Sequence, residues 1–305
     1  MTYALQVKDL VKRYGDVHAV DGISFDVPTA SVFTILGPNG AGKTTTLEML
    51  EGIREPDAGE ITMLGKRMLK VSRAAKQHMG VLLQDGGFEP HLKVREILQL
   101  FSSFFDRALP VSDILHLVAL EEKAAARVKT LSGGQKQRMA IGAALVNDPD
   151  LVFFDEPTTG LDPQARRNIW DILSELKSRG KTILLTTHYM EEAEALSDVV
   201  CIMDQGKIIA QGSPRELAAG LGEETLIEFR LDDVDAQTLQ PLESCCKRIR
   251  IDASQVLIET LDLRETMSQL LDWAEKTSKD FHDLRVRQPN LEDVFLSLTG
   301  RTLRE

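Results

Sequence analysis

A glycine-rich segment directly after a run of apolar residues constrains this chain more than any other feature of its sequence. The apolar run Val32–Leu36 is followed by Gly37-Pro38-Asn39-Gly40-Ala41-Gly42-Lys43-Thr44-Thr45. This segment satisfies the pattern G-x-x-x-x-G-K-[ST], whose glycines let the backbone wrap closely around phosphate oxygens. N–H groups at the start of the following helix donate to those oxygens, Lys43 adds a positive charge at the β- and γ-phosphates, and the Thr44 hydroxyl suits Mg²⁺. The segment therefore predicts a strand, a loop and a helix that bind a nucleoside triphosphate.

The first two thirds of the chain alternate short apolar runs with helical stretches, which is typical of an α/β domain with a largely parallel sheet. The predicted strands are Leu5–Leu10, Ile23–Val27, Ser31–Leu36, Glu60–Leu64, Gly80–Leu83, Leu151–Phe154 and Thr182–Thr187. Two further runs, Val199–Met203 and Lys207–Ala210, predict a hairpin. The composition changes between Ser213 and Gly222, so we place a domain boundary near residue 220.

Residues 221–305 predict a small second domain. Its predicted strands and helix are Thr225–Leu231, Lys247–Ile251, Gln255–Glu259, Glu265–Lys276 (the helix) and Phe281–Val286, with a short helix after the first strand and a last helix near the end. This order indicates an α+β unit of ferredoxin-like type. In the last helix Leu291, Val294, Phe295 and Leu298 share one face, which packs on its own domain or helps to hold a dimer together.

Composition and charge restrict the function classes. The formal net charge is −11 and there is no lysine- or arginine-rich block, which argues against binding to nucleic acid. No stretch approaches the roughly 18–20 apolar residues that cross a bilayer, and the first residues lack the pattern of a signal peptide. The three cysteines, Cys201, Cys245 and Cys246, show no metal-like spacing and are expected to be reduced thiols. We therefore expect a cytoplasmic protein that reaches a membrane only through a partner.

Two acids end another apolar run, Leu151–Phe154, whose composition suits a central strand buried on both faces. The carboxyl ends of such strands form the edge at which open α/β sheets bind ligands. Asp155 is placed to hold Mg²⁺, and Glu156 can orient or deprotonate an attacking water. An Asn-Lys-x-Asp motif, expected of a GTPase, does not occur in the sequence.

The segment Leu131-Ser132-Gly133-Gly134-Gln135 is the discriminating motif, and Lys136-Gln137-Arg138 extends it. It predicts a helix that begins with a serine and two glycines, which is a second N-terminus suited to an anion. The motif matches the signature of the ABC ATPases, and the chain resembles this family from about Leu5 to Leu217. The resemblance implies a P-loop NTPase fold with a RecA-like core, an antiparallel β subdomain and a helical subdomain at about residues 86–147, with ATP and Mg²⁺ as cofactors.

The resemblance also assigns residues. Tyr14 corresponds to an aromatic residue that stacks on adenine, Gln84 to a glutamine that reaches Mg²⁺ and the attacking water, and His188 to a histidine that contacts the γ-phosphate. Gly160-Leu161-Asp162 corresponds to the D-loop, although many members have Ser-Ala where this chain has Thr159 and Gly160. Asp162 is therefore expected near the nucleotide, with its detailed contacts left open.

The same resemblance implies a symmetric assembly. Two copies would enclose two ATP molecules, and each site would combine the phosphate loop and Glu156 of one copy with Ser132, Gly133, Gly134 and Gln135 of the other. A separately encoded permease would dock on the helical subdomain and place the protein at the inner face of the cell membrane. The apolar residues around Phe101–Phe105 either take part in that docking or form ordinary helix core.

Three further segments resemble the drug- and antibiotic-resistance branch of type-2 ABC exporters, namely Gly160–Arg167, Thr187–Glu194 and, near the C-terminus, Asn290–Arg301. An exporter ATPase is therefore expected. The alternatives are a soluble ABC ATPase of translation or DNA repair, and a regulatory subunit that does not hydrolyse ATP. A single cassette without heptads or a basic patch argues against the first, and the presence of Lys43, Glu156 and His188 argues against the second. The transported compound, which could be a drug, antibiotic, lipid or polysaccharide, is not encoded in this chain.

Overall fold

The chain folds into two compact units, which divide after Pro214. The computed structural model describes residues 2–68, 71–82, 87–222, 224–232, 236–277 and 279–300. The strands of the first unit are β1 (Tyr3–Tyr14), β2 (Val17–Pro28), β3 (Val32–Leu36), β4 (Ala58–Met63), β5 (Lys66–Met68), β6 (Met79–Leu82), β7 (Leu151–Asp155), β8 (Thr182–Thr187), β9 (Val199–Asp204) and β10 (Lys207–Gly212). Its helices are α1 (Lys43–Glu51), α2 (Arg73–Lys76), α3 (Val94–Ser102), α4 (Val111–Leu117), α5 (Gly133–Ala144), α6 (Pro163–Ser178) and α7 (Met190–Leu196).

A six-stranded sheet forms the centre of the first unit, in the order β10-β9-β3-β8-β7-β6. All neighbouring strands are parallel except β9 and β10, which form the predicted hairpin. Every residue of β3, β7 and β8 is buried, because helices and a second sheet cover both faces. The carboxyl ends of these three strands therefore meet at one edge, where the sequence places the phosphate loop, Asp155 and His188.

An antiparallel sheet and a helical layer complete the first unit. The antiparallel sheet has the order β2-β1-β4-β5, and its core side includes Phe25, whose ring stacks on Phe33 of β3 with 5.1 Å between centroids. Helices α3, α4 and α5 pack against each other over a shared apolar core. Gly142 allows this close packing, since a Cβ there would lie 3.2 Å from a methyl group of Ile114. The parallel core, the antiparallel sheet and the helical layer agree with the expected ABC ATPase architecture.

The second unit is built around one four-stranded antiparallel sheet. Its elements are α8 (Pro214–Ala219), β11 (Thr225–Arg230), α9 (Ala236–Leu239), β12 (Arg248–Asp252), β13 (Gln255–Thr260), α10 (Leu263–Thr277), β14 (His282–Arg287) and α11 (Leu291–Thr299). The strand order is β12-β13-β11-β14, and the β-α-β-β-α-β connectivity of β11 to β14 is that of a ferredoxin-like unit. In α11, Leu291, Val294 and Phe295 are buried while Leu298 is exposed.

The first helix of the second unit lies before the boundary that the sequence predicted near residue 220. This helix, α8, has six residues and is followed by the turn whose glycines produced the change in composition. The boundary predicted from the sequence therefore lies at the end of α8, whereas the two units divide near its beginning. Across the part of the chain that the structure describes, no helix combines the length and the apolar character that a bilayer span needs.

Candidate functional site

The phosphate loop connects β3 to α1 at the carboxyl edge of the parallel sheet. Two of its glycines are required by close approaches of other backbone segments. A Cβ at Gly37 would collide with the carbonyl oxygen of Met203, and one at Gly42 would collide with that of Ala19. Gly42 also has φ 101°, a conformation that strains residues with a side chain. The N-cap of α1 is Gly42, which has no side chain to cap the helix, so the first N–H groups of α1 are available to an anion.

Lys43, the first residue of α1, holds its ammonium group over this loop. The side chain is only 4% exposed, and Nζ donates to the carbonyl oxygens of Gly37 (2.9 Å) and Pro38 (3.1 Å). The same Nζ lies 3.1 Å from Oε1 of Glu156. The ammonium group of Lys43 is thus fixed beside the place where the loop would bind phosphate oxygens. A phosphate there must compete with the Glu156 carboxylate for this ammonium group.

Asp155 and Thr44 form the oxygen donor set of a candidate metal site. The Asp155 carboxylate, at the end of β7, is buried and accepts hydrogen bonds from the hydroxyls of Thr186 and Thr44. Burial raises the pKa of Asp155, and the two hydroxyl donors oppose that shift. Mg²⁺ prefers oxygen ligands and is bound through one or two carboxylates together with substrate phosphates. A carboxylate and a hydroxyl beside the phosphate loop fit that ion.

Glu156 follows with an unusual backbone conformation. Its φ is 46°, and its N–H is held by the carbonyl oxygen of Thr186 (3.1 Å) and by the hydroxyl of the same residue (3.0 Å). The side chain turns towards Lys43 through Oε1, while Oε2 lies 3.1 Å from Nδ1 of His188 and accepts from the Thr159 hydroxyl at 3.1 Å. Burial acts to raise the pKa of Glu156, but Lys43 and His188 outweigh it and lower that pKa. The residue is therefore a carboxylate at neutral pH.

His188 stands directly after β8 with its ring almost fully enclosed. Nδ1 faces Glu156, whereas Nε2 is buried and has no hydrogen-bond partner among the residues that the structure describes. Buried polar nitrogens are normally satisfied, so an orphaned one at a site points to a ligand. The free Nε2 fits the predicted contact with a phosphate oxygen.

The signature segment begins α5 and makes no hydrogen bond to the phosphate loop within the described ranges. Ser132 caps the helix by accepting from the N–H of Gln135 (3.3 Å), and the Gln135 side chain accepts from the N–H of Ser132 (3.0 Å). Ser132 and Gly133 are exposed. A Cβ at Gly134 would meet the side chain of Ala165 in α6. The segment therefore presents a helix N-terminus to the outside of its own chain.

Three predicted residues of the site remain, namely Tyr14, Asp162 and Gln84. Tyr14 ends β1, is 39% exposed, and carries the Arg54 guanidinium 5.3 Å from its ring centroid. Asp162 is the N-cap of α6 and accepts from the N–H of Ala165 at 2.8 Å. Gln84 lies outside the described residues.

Sequence reasoning missed Thr186 and Glu192. The Thr186 hydroxyl contacts both acids of the site, and Glu192 in α7 accepts from Thr158 (2.9 Å) and from Nε1 of Trp170 (3.0 Å). The only signal for Thr186 was its place in the pair of threonines at the carboxyl end of β8. Glu192 gave none, because an acid in a helix with several other acids resembles a solvated surface residue.

Comparison with known proteins places this geometry in a family. The sequence model of the family described as "ABC transporter" matches residues 20–159. The chain is 44% identical to the Nod factor export ATP-binding protein I of Paraburkholderia xenovorans, with 99% of each chain covered. It is 41% identical to the protein of the same name from Rhizobium etli, over 98% of this chain and 94% of the relative.

Solved structures give the same result. A structure of cbiO1 from Clostridium perfringens, part of the ABC transporter complex cbiONQ, has a TM-score of 0.65 and 31% identity, and covers 72% of this chain and 92% of its own. An ATP-binding cassette of an ABC transporter in its ADP conformation has a TM-score of 0.64 and 28% identity, over 71% and 93%. The chain belongs to the family of ATP-binding subunits of ABC transporters. It is an ATPase that binds ATP and works with separate membrane components.

Proposed function

We propose that two copies of this chain bind two ATP molecules between them, and that ATP hydrolysis drives export through a separately encoded membrane subunit. The observation that carries the proposal is the cluster of Lys43, Glu156 and His188. Three elements, α1, β7 and β8, bring these side chains together beside the phosphate loop with contacts of 3.1 Å. An ammonium group, a carboxylate with a lowered pKa and an unpartnered imidazole nitrogen are what phosphoryl transfer to water needs at one place.

The contacts suggest how ATP prepares the site. Lys43 and His188 each hold one oxygen of Glu156. Arriving phosphate groups compete for Lys43, which frees Oε1 of the Glu156 carboxylate to orient a water and to accept its proton. Nε2 of His188 donates to the terminal phosphate. Thr44, Asp155 and Gln84 would hold Mg²⁺, which neutralises charge on the phosphates when it is bound.

The second half of each site comes from the partner copy. Ser132, Gly133 and Gly134 present an exposed helix N-terminus, and Gln135 is held by the capping box. Such an N-terminus binds anions. ATP that bridges the phosphate loop of one copy and this N-terminus of the other stabilises the closed pair, and hydrolysis removes the bridge. Tyr14 stacks on adenine, and Asp162 helps to join the copies.

The membrane subunit docks in a groove of the first unit of about 460 Å³. The helical layer contributes four aromatic side chains to this groove, those of Phe88, Phe101, Phe104 and Phe105. Phe104 is 60% exposed and stands edge-on to Phe101, so it is not part of the helix core. Exposed aromatic patches of this kind mark interaction sites. Docking here holds the protein at the inner face of the cell membrane.

Export is favoured over the other directions and over soluble functions because the relatives that align along nearly the whole chain are named for Nod factor export. Their alignment includes the second unit, which a general ATP-binding cassette does not need. We accordingly propose that the transported compound leaves the cell, and Nod factors are the first compounds to test.

The experiment is a comparison of Glu156→Gln with a matched control. The substitution keeps the size of the side chain and removes its basicity, so ATP binding is retained while turnover falls by about 100-fold or more. Glu121→Gln is the control, since Glu121 also pairs with a histidine, His116, but on an exposed helix end. Purified subunits are assayed for nucleotide binding and phosphate release. Normal turnover by Glu156→Gln would refute the assigned role.

A further inference from the structure

One buried acid of the first unit has no role in the site described above. Glu51 is the last residue of α1, lines the groove that holds the four phenylalanines, and is only 8% exposed. Among the residues that the structure describes, no hydrogen bond or ion pair engages its carboxylate. The groove therefore combines apolar walls with one enclosed and unpartnered acidic group.

The surroundings of Glu51 make a cation favourable at this place. The charged groups that act on the pKa of Glu51 are Asp155 and Glu48, and both are acidic. Together with burial, which is the larger cause, they raise the pKa of Glu51 to about 8. Arg54, the nearest base along the chain, is already paired with Glu48. Lys76 also lines the groove but makes no ion pair with Glu51 within the described ranges.

An enclosed carboxylate without a partner is costly to the folded chain. A glutamate with a purely structural role would accept hydrogen bonds, as Glu192 does. The position of Glu51 inside an open groove allows the missing partner to come from another molecule. A basic side chain that reached it would be desolvated on docking, and such charge-assisted bonds are the strong ones.

We propose that Glu51 anchors a lysine or arginine of the membrane subunit, whose docking segment fills the groove with apolar side chains around that one cation. The inference rests on the proposed function, because it takes the occupant of the groove to be the membrane subunit. It adds the chemistry of that occupant, which is an apolar segment with a single basic residue. The acid supplies specificity, since a segment without the base would leave Glu51 buried and unpaired.

The test measures the affinity between the purified ATPase subunit and its co-expressed membrane subunit in detergent. We expect Glu51→Gln to weaken this affinity by about tenfold or more, and Glu51→Lys to abolish it, because a buried charge pair is broken or reversed. Glu60→Gln is the control, since Glu60 is an exposed acid in β4 that pairs with Arg67 away from the groove. ATP hydrolysis by the isolated subunits should be the same for Glu51→Gln, Glu60→Gln and the native chain.

A second arm separates this inference from the docking site itself. Phe104→Ala tests the groove without touching the acid. Loss of affinity with Phe104→Ala but not with Glu51→Gln overturns the role of Glu51 and leaves the groove as the docking site. Loss with neither variant overturns both, while the assignment of ATP hydrolysis to Glu156 stands or falls on its own assay.

A reversal of charge gives the sharpest result. Each lysine and arginine in the cytoplasmic loops of the membrane subunit is changed to glutamate and combined with Glu51→Lys. One of these changes should restore binding, which identifies the partner residue. If none restores it while Glu51→Lys folds normally, as judged by its ATP hydrolysis, the proposed pair does not exist.

Discussion

Thr186 is the residue on which both acids of the site depend. Its hydroxyl donates to Asp155 and accepts from the N–H of Glu156, whose φ of 46° is strained for a residue with a side chain. Its carbonyl oxygen accepts from the same N–H. One residue of β8 thus fixes the Asp155 carboxylate of the candidate metal site and the backbone that aims Glu156. It is a positioning residue, since it acts through the two acids.

We predict that Thr186→Val lowers the turnover number by roughly 10- to 100-fold, because a hydrogen bond to a charged group contributes about 1.5–3 kcal/mol. The KM for ATP should change little, since Lys43 and the loop are not touched. Thr182→Val is the control, because Thr182 is a buried threonine at the other end of the same strand, where it accepts from the N–H of Ala30. Steady-state ATP hydrolysis measures both constants. Equal losses in the two variants would contradict a role in positioning the acids.

Glu51 gives a prediction about stability and pH. The native chain keeps a proton on Glu51 up to a pKa of about 8, whereas the unfolded chain loses it near 4.5. Between these values the native state binds more protons, so the free energy of unfolding falls as the pH rises. Glu51→Gln removes this loss.

The measurement is thermal unfolding without nucleotide and in the presence of a chelator. The melting temperature of Glu51→Gln should stay close to that of the native chain at pH 5 and exceed it at pH 8.5, by on the order of 2–4 °C for each kcal/mol that the native chain loses. Glu60→Gln, which changes an exposed acid, should follow the native chain at both values. A constant difference between Glu51→Gln and the native chain at all pH values would rule out the raised pKa.

At the scale of elements, the loop after β7 is held by three helices. The Gln137 side chain in α5 donates to the carbonyl oxygen of Pro157 at 2.8 Å. Glu192 in α7 accepts from the Thr158 hydroxyl and from Trp170 of α6, and it is fully buried. The signature helix and the segment after His188 therefore both contact the loop that carries Glu156.

We predict that Glu192→Ala lowers stability and turnover together. The change leaves the donors of Thr158 and Trp170 without an acceptor, each at a cost of about 1–3 kcal/mol. Glu192→Gln keeps an acceptor oxygen and should restore most of both properties. Glu191→Ala, which removes the exposed acid next to it, is the control. Melting temperature and ATP hydrolysis are measured for all three variants, and a Glu192→Gln no better than Glu192→Ala would contradict the bridging role.

The parts that the sequence could predict are those fixed by local pattern. Lys43, Asp155 and His188 each follow an apolar run, and parallel strands bring the ends of such runs to one edge, so their proximity was deducible. The burial of Glu51 and Glu192 was not, because both are helical acids whose environment depends on distant elements. Strands β1 and β2 are longer than predicted, since their outer ends alternate polar and apolar residues irregularly around bulges. Their pairing, rather than their composition, extends them.

At the scale of the whole molecule, the proposed function divides each site between two copies of the chain. The phosphate loop, Glu156 and His188 would form one half of a site, and the exposed N-terminus at Ser132 would form the other half. Within the described ranges, the side-chain hydrogen bonds of Ser132 and Gln135 join these residues only to each other. Since closed two-fold assemblies use the same surfaces on both copies, two chains complete both sites at once.

This arrangement predicts complementation between two inactive variants. Lys43→Ala removes the charge of the phosphate loop, and Ser132→Arg blocks the helix N-terminus, so each variant alone should hydrolyse almost no ATP. In an equal mixture half of the pairs are mixed, and each mixed pair joins one native loop to one native N-terminus, which restores about a quarter of the native sites. Phosphate release is measured as a function of the mixing ratio. Each variant alone, at the same total concentration, serves as a control. Recovery that follows the product of the two fractions requires sites shared between copies, whereas no recovery at any ratio would place the whole site within one chain.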